Sequence, residues 1–214
     1  METSKKLRVR EPFSAFSHLV GALLSCVALA ALVIWSHGDR LKITSFAIYG
    51  TSMIVLYIAS SIYHTMHVSP VALERLRRFD QCAIFLLIAG SFTPVCVKLH
   101  DPLGWTILSI VWTIALAGIA IQVAWSKMPC WLSVVLYFVI SSVSVVGIGP
   151  IAHVIGMRCV MWLFAGGIIY TSGAVVFATE RPRLWPGVFG FHDLWHVFVL
   201  AATAAHFMMM TTLL

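Results

Sequence analysis

Seven stretches of about twenty mostly apolar residues, long enough to cross a bilayer as helices, occupy most of this chain. They lie at roughly 16–36, 43–66, 79–99, 104–125, 130–149, 159–179 and 192–213. Charged residues make up only 10% of the 214, against 60% hydrophobic. A water-soluble domain carries about a quarter charged residues, so lipid must be the main solvent here. Turn and charge signals separate the stretches: His37-Gly38-Asp39-Arg40, Ser69-Pro70, Asp101-Pro102, Lys127-Met128-Pro129, Gly149-Pro150, and Arg181-Pro182 to Pro186-Gly187. The expectation is an all-α bundle of seven transmembrane helices forming a single domain over 1–214, with 1–13 as a short basic leading segment. No small-residue cleavage site closes the first apolar run, which reads as a retained helix rather than a signal peptide. No long repeat is visible, which disfavours a transporter built from inverted repeats.

With seven spans the termini fall on opposite sides. Lys5, Lys6, Arg8, Arg10, Arg75, Arg77, Arg78, Lys127, Arg181 and Arg183 share one side; Arg40, Lys42, Lys98 and Arg158 share the other. Lys and Arg concentrate on the cytoplasmic side of short loops. The expected placement is therefore a multi-pass protein of the cell inner (plasma) membrane, N-terminus cytoplasmic and C-terminus outside. Trp35 and Trp105 then suit the outer interface, and Trp125, Trp131 and Trp185 the inner one. The net charge of +6 lies in short clusters between apolar runs. That pattern suits a membrane surface and argues against nucleic acid. Membrane lipids are the expected partners, with no soluble partner indicated and no oligomeric state specified.

The topology also gives the polar residues depth. His64 falls at the cytoplasmic end of the second span, Asp80 at that end of the third, and His192 and His196 in the first turns of the seventh. Ionisable residues in membrane spans are costly and face the bundle interior. His192 and His196, four residues apart, share one helix face about 6 Å apart along the axis. Two histidines hold zinc in this way in HExxH helices. Here Asp193, Leu194 and Trp195 intervene, so the glutamate of that motif is missing. A third ligand must come from elsewhere in the chain, and His64 lies at the right depth. Three imidazoles leave an open position of the catalytic type. Ser60, one turn before His64, suits a hydrogen bond to a bound water or a substrate oxygen, and Asp80 suits a general base. The alternative is amphipathic histidines at a wet boundary, with the HxxxH pair hydrogen-bonding across the bundle.

Glu11 and His18 flank the start of the first span on the same side. They suit outer contacts to the site, or merely a helix-start carboxylate and an interfacial histidine. His37, His67, His100 and His153 fall in or beside expected loops. His206 lies about 15 Å beyond His196 by helical rise, too deep for the same ligand set, and reads as an interhelical hydrogen-bonder. Cys26, Cys82, Cys96, Cys130 and Cys159 are scattered without a CxxC, and read as small apolar residues.

The motifs Ser60-Ser61-Ile62-Tyr63-His64, Arg78-Phe79-Asp80 with Ile88-Ala89-Gly90-Ser91-Phe92-Thr93-Pro94, Glu180-Arg181-Pro182, and His192-Asp193-Leu194-Trp195-His196 with His206-Phe207 resemble the signatures of the bacterial hemolysin III proteins. These belong with the progestin and adipoQ receptors. Glu11, His18 and Gly21 are similar to the opening motif. The resemblance implies a seven-helix bundle with its N-terminus inside. It also implies Zn2+ held at His64, His192 and His196, with Asp80 and Ser60 close to the zinc-bound water. The wider superfamily includes alkaline ceramidases, which implies hydrolysis of a lipid amide or ester. Bacterial members also resemble a membrane-homeostasis protein that responds to lipid packing, which implies a sensor with structural zinc. The family's name implies a cytolysin, yet a secreted pore-former needs polar surface that this chain lacks. Ion transport would need polar residues along a whole path, whereas these cluster at one end. Two departures stand out: Gln81 where many relatives have His, and Ser14 where many have Asn.

Overall fold

A computed structural model describes residues 9–125, 128–182, 184–185 and 188–214. Lys5, Lys6, Arg8, Lys127, Arg183, Pro186 and Gly187 lie outside the described residues, as does the side chain of Cys130. The helices are α1 (Pro12–Trp35), α2 (Arg40–Thr65), α3 (Pro70–Leu99), α4 (Pro102–Ala124), α5 (Cys130–Ser142), α6 (Ile148–Val154), α7 (Met157–Thr179) and α8 (Phe191–Thr211). A 3₁₀ turn, Val143–Gly147, joins α5 to α6. Among the described residues, seven segments are long and apolar enough to cross a membrane, with α5 and α6 forming one of them.

Several breaks read from the sequence are helix caps. Asp39 accepts the Leu41 and Lys42 amides at the head of α2. Ser69 accepts the Ala72 amide, and Asp101 the Gly104 amide, each directly before a proline at the first helical position. Such side chains satisfy amide donors that an α-helix leaves unpaired, and proline there forfeits nothing. The start of α3 at Pro70 makes the basic stretch Arg75–Arg78 helical, nine residues ahead of the expected span. One break is corrected: Gly149-Pro150 lies within α6. Pro150 sits in the first turn, where a missing amide hydrogen costs little. The chain breaks instead at Gly156, whose φ of +111° a side chain would oppose.

Every helix exposes large apolar side chains, including Val27, Ile34, Leu116, Val139 and Ile168. The buried stripe of α1 is the more polar one, with Ser14, His18 and Ser25 among its members. This inversion follows from a lipid exterior. Helices α1, α2 and α3 pack closely in sequence order, and α8 lies against α1 and α7. Contact needs small residues: a Cβ on Gly21 would lie 2.8 Å from Tyr57 and 2.9 Å from Leu200. Trp35 and Trp105 mark one end of the bundle, and Trp125, Trp131 and Trp185 the other, all exposed.

Candidate metal centre

Two helices supply the histidines. His64 closes the last turn of α2, and His192 and His196 occupy the first turns of α8. One ring nitrogen from each can be chosen so that all three lie within 4.8 Å of one another. The ring centroids of His64 are 5.0 Å from His192 and 4.7 Å from His196, and those of His192 and His196 are 5.0 Å apart. His64 and His196 are almost wholly buried.

The cluster fits a metal. His192 Nε2 and His196 Nδ1 are buried and have no hydrogen-bond partner among the described residues. Buried polar atoms in native proteins are nearly always satisfied, and a shared cation satisfies both. His64 Nδ1 hydrogen-bonds to Glu11 Oε2. With Nδ1–H donating to the carboxylate, Nε2 carries the free lone pair, the arrangement by which a carboxylate orients a metal-ligating imidazole. Three histidines with no thiolate suit zinc among the common ions, though copper, iron and nickel also accept imidazole.

Ser60 is buried on α2 one turn before His64, and its hydroxyl lies beside the Asp80 carboxyl of α3. The sequence-derived site residues thus come together at one end of the bundle. Ser60, Asp80, His192 and His196 line a cavity of about 700 Å³. Its wall continues through Ile84, Leu87, Phe92 and Cys96 to Leu99 and Ile107 near the other end. From Asp80 to Cys96 the rise along α3 is about 24 Å. On the side of α5 and α7 the wall is formed by Tyr137, Phe138, Phe164, Gly167 and Ile168. A polar end on a long, mostly apolar chamber suits an amphipathic molecule.

Glu11 and His18 both reach the cluster. Glu11 stands at the head of α1, outside the spans. The His64 hydrogen bond and the Arg10 charge hold its carboxyl below the ordinary carboxylate range, against the pull of partial burial. The ring of His18 lies 3.8 Å from that of His196, centroid to centroid. The sequence singled out Ser14 only as a departure from the family pattern and Asp193 only as an intervening residue; it did not reveal that Ser14 Oγ donates to Asp193 Oδ1 at 2.9 Å, or that Asp193 Oδ2 accepts the Gly190 amide at the head of α8. The i, i+3, i+7 spacing of Glu11, Ser14 and His18 was the available signal. His206 faces the Leu163 carbonyl and rests on Gly166 of α7, in keeping with an interhelical contact. His37, His67 and His100 are exposed between helices, and His153 is exposed in the last turn of α6, beside the break at Gly156.

Fold and site define the class first: a multi-pass, all-helical membrane protein with a buried three-histidine cluster at the polar end of an internal cavity. The family described as "Haemolysin-III related" matches residues 7–207, and the chain belongs to it. It is similar to Hemolysin-3 of Bacillus cereus, at 36% identity over 91% of this chain and 87% of that protein. It is similar to the Hemolysin-3 homolog of Bacillus subtilis (strain 168), at 34% identity over 91% and 89%. More distantly it is similar to the adiponectin receptor protein of Drosophila melanogaster, at 26% identity over 92% of this chain and 49% of that one.

Proposed function

We propose that this protein holds a zinc ion at His64, His192 and His196 and serves membrane lipid homeostasis by hydrolysing an amide or ester bond of a membrane lipid. The observation that carries this reading is the junction of the three-histidine cluster with Ser60, Asp80 and the long apolar cavity. The protein sits in the plasma (inner) membrane with its N-terminus in the cytoplasm, in keeping with the excess of Lys and Arg on that side. Zinc held by these three neutral imidazoles would supply Lewis acidity and would lower the pKa of a water toward neutrality.

The chain's own groups do the rest. The cavity takes the apolar chain of the lipid and excludes bulk water from the reacting bond. The Ser60 hydroxyl donates its one proton to the Asp80 carboxylate and holds it in place; once Asp80 has taken up a proton, that hydroxyl is free to donate to the substrate oxygen instead. Asp80 accepts the proton released as water adds to the carbonyl carbon, and returns it to the leaving amine or alcohol as the C–N or C–O bond breaks.

The test is to purify the protein, measure bound zinc, and assay cleavage of ceramide and other acyl lipids beside His196→Ala. One zinc per chain with lipid cleavage that His196→Ala abolishes supports the reading. Stoichiometric zinc with no cleavage of any lipid class overturns the catalytic part. A second reading, a sensor of membrane state with structural zinc, has its own support: the ligands come from α2 and α8, so the ion would pin these two helices together. Unchanged lipid composition and fluidity tolerance in a deletion strain would count against it. The names of the Bacillus relatives suggest cytolysis, but the broad apolar exterior gives a secreted form no water-compatible surface.

A further inference from the structure

We propose that α1 is the positioning element of the histidine site, with Glu11, Ser14 and His18 each setting one of the three ligands. The proposal rests on the metal-site reading above and deepens it.

The spacing is i, i+3, i+7, so the three residues follow one stripe of α1 and its leading turn. Glu11 sets His64. Its Oε2 takes the bond from Nδ1, while Oε1 is held by Arg10 Nη1 at 2.7 Å. Arg10 is fixed in turn: Nη2 donates to the Tyr63 carbonyl at 2.7 Å, and the guanidinium lies 4.6 Å from the Tyr63 ring centre. The Glu11 amide also donates to the His64 carbonyl at 3.0 Å, so main chain and side chain address the same residue.

Ser14 sets His192 through its neighbour. The Ser14–Asp193 bond joins α1 to the carboxylate that caps α8, and so fixes the rotation of the turn bearing His192. His18 sets His196. Its ring packs over the His196 ring and is itself flanked edge-on by Tyr57 at 5.0 Å. Both His18 nitrogens are buried without a hydrogen-bond partner among the described residues. A polar ring placed so on a lipid-spanning helix is costly unless the site uses it. Gly21, next on the stripe, has no side chain and admits Tyr57 and Leu200.

Residues hydrogen-bonded behind metal ligands commonly govern affinity by about 10–100-fold. The experiment uses the full-length protein in detergent. Wild type, Glu11→Gln, Ser14→Ala and His18→Leu are compared by competition for zinc against a chelator. The visible absorption bands of the Co2+-substituted forms report ligand geometry. Thermal unfolding of the metal-free forms is followed alongside. Leu23→Ala, on the lipid-facing side of α1, is the control. The expected result is a loss of zinc affinity of about 10–100-fold in Glu11→Gln, a smaller loss in Ser14→Ala and His18→Leu, and shifted Co2+ bands in all three, with Leu23→Ala unchanged. Wild-type affinity and spectra in all three variants would overturn the positioning role while leaving the metal site standing. Absence of bound metal in the wild type would overturn the metal reading itself. If Glu11→Gln or His18→Leu fails to fold, Ser14→Ala, which deletes one hydroxyl, decides: an unmoved spectrum and affinity there refutes the proposal.

Discussion

Gly166 and Gly167 are consecutive residues of α7 that face opposite environments. Gly166 is buried under the His206 ring, which would overlap a Cβ there, whereas a Cβ on Gly167 would meet no atom within 4 Å. Gly167 also lines the cavity. The pair separates packing from cavity space. Gly167→Phe should fill part of the chamber and leave the bundle and its histidines intact. The expected outcome is full zinc content with lipid cleavage lost; unchanged cleavage would show that substrate does not use this part of the cavity.

Gly166→Leu addresses the other face. Forcing a side chain into the α7–α8 contact should destabilise the protein by about 1–3 kcal/mol, the usual range for overpacking. Thermal unfolding in detergent reads this directly. A midpoint equal to wild type would mean that the His206 ring swings clear at no cost.

His196 and His206 are on the same helix, yet only the first belongs to the three-histidine cluster. His196→Ala should abolish stoichiometric zinc binding. His206→Phe should leave zinc content at the wild-type level and lower only thermal stability. Metal analysis of the two purified variants checks both, and equal zinc loss in the two would contradict the ligand assignment.

Gln81, one of the two departures from the family pattern, belongs to a polar network across α3, α4 and α5. Gln122 Nε2 donates to Gln81 Oε1 at 2.6 Å, Ser133 donates to Gln122 Oε1 at 3.0 Å, and Tyr137 donates to the Gln81 carbonyl at 2.9 Å. Gln122 and Ser133 are buried. Gln122→Leu strands a hydroxyl and weakens the hold on α5. A loss of about 1–2 kcal/mol is expected, at the upper end for hydrogen bonds within membranes. Zinc affinity should not move, because the network includes none of the histidines.

The proposed orientation has its own check. An epitope placed after Leu214 should be labelled on intact cells, and one placed before Met1 only after permeabilisation. The reverse pattern would put the histidine cluster on the outer side and overturn the orientation.

Much of the fold was legible because the rules for a lipid solvent are few. A helix must satisfy its own backbone, so about twenty apolar residues between charged turns leave little choice. The Ser-Pro and Asp-Pro pairs were also informative, since a capping side chain before proline is a local signal. Gly149-Pro150 misled for the complementary reason: proline in the first turn of a helix looks the same in sequence as proline in a break. The clustering of the three histidines was legible because the HxxxH pair is local to α8 and topology alone brings His64 to the same end.

What the sequence by itself determined was the number of spans, the end of the bundle at which the ionisable residues gather, and the pairing of His192 with His196. These depend on hydropathy, helical period and alternation of direction, all local or additive along the chain. Only the tertiary structure decided that Glu11 meets His64, that Ser14 meets Asp193, and that His18 lies over His196. Those contacts depend on α1 packing between α2 and α8 with one particular face turned inward. The polar stripe of Ser14, His18 and Ser25 marks the inward face of α1, but no spacing rule says which residue of α2 or α8 each member meets, so close packing of side chains had to select the pairs.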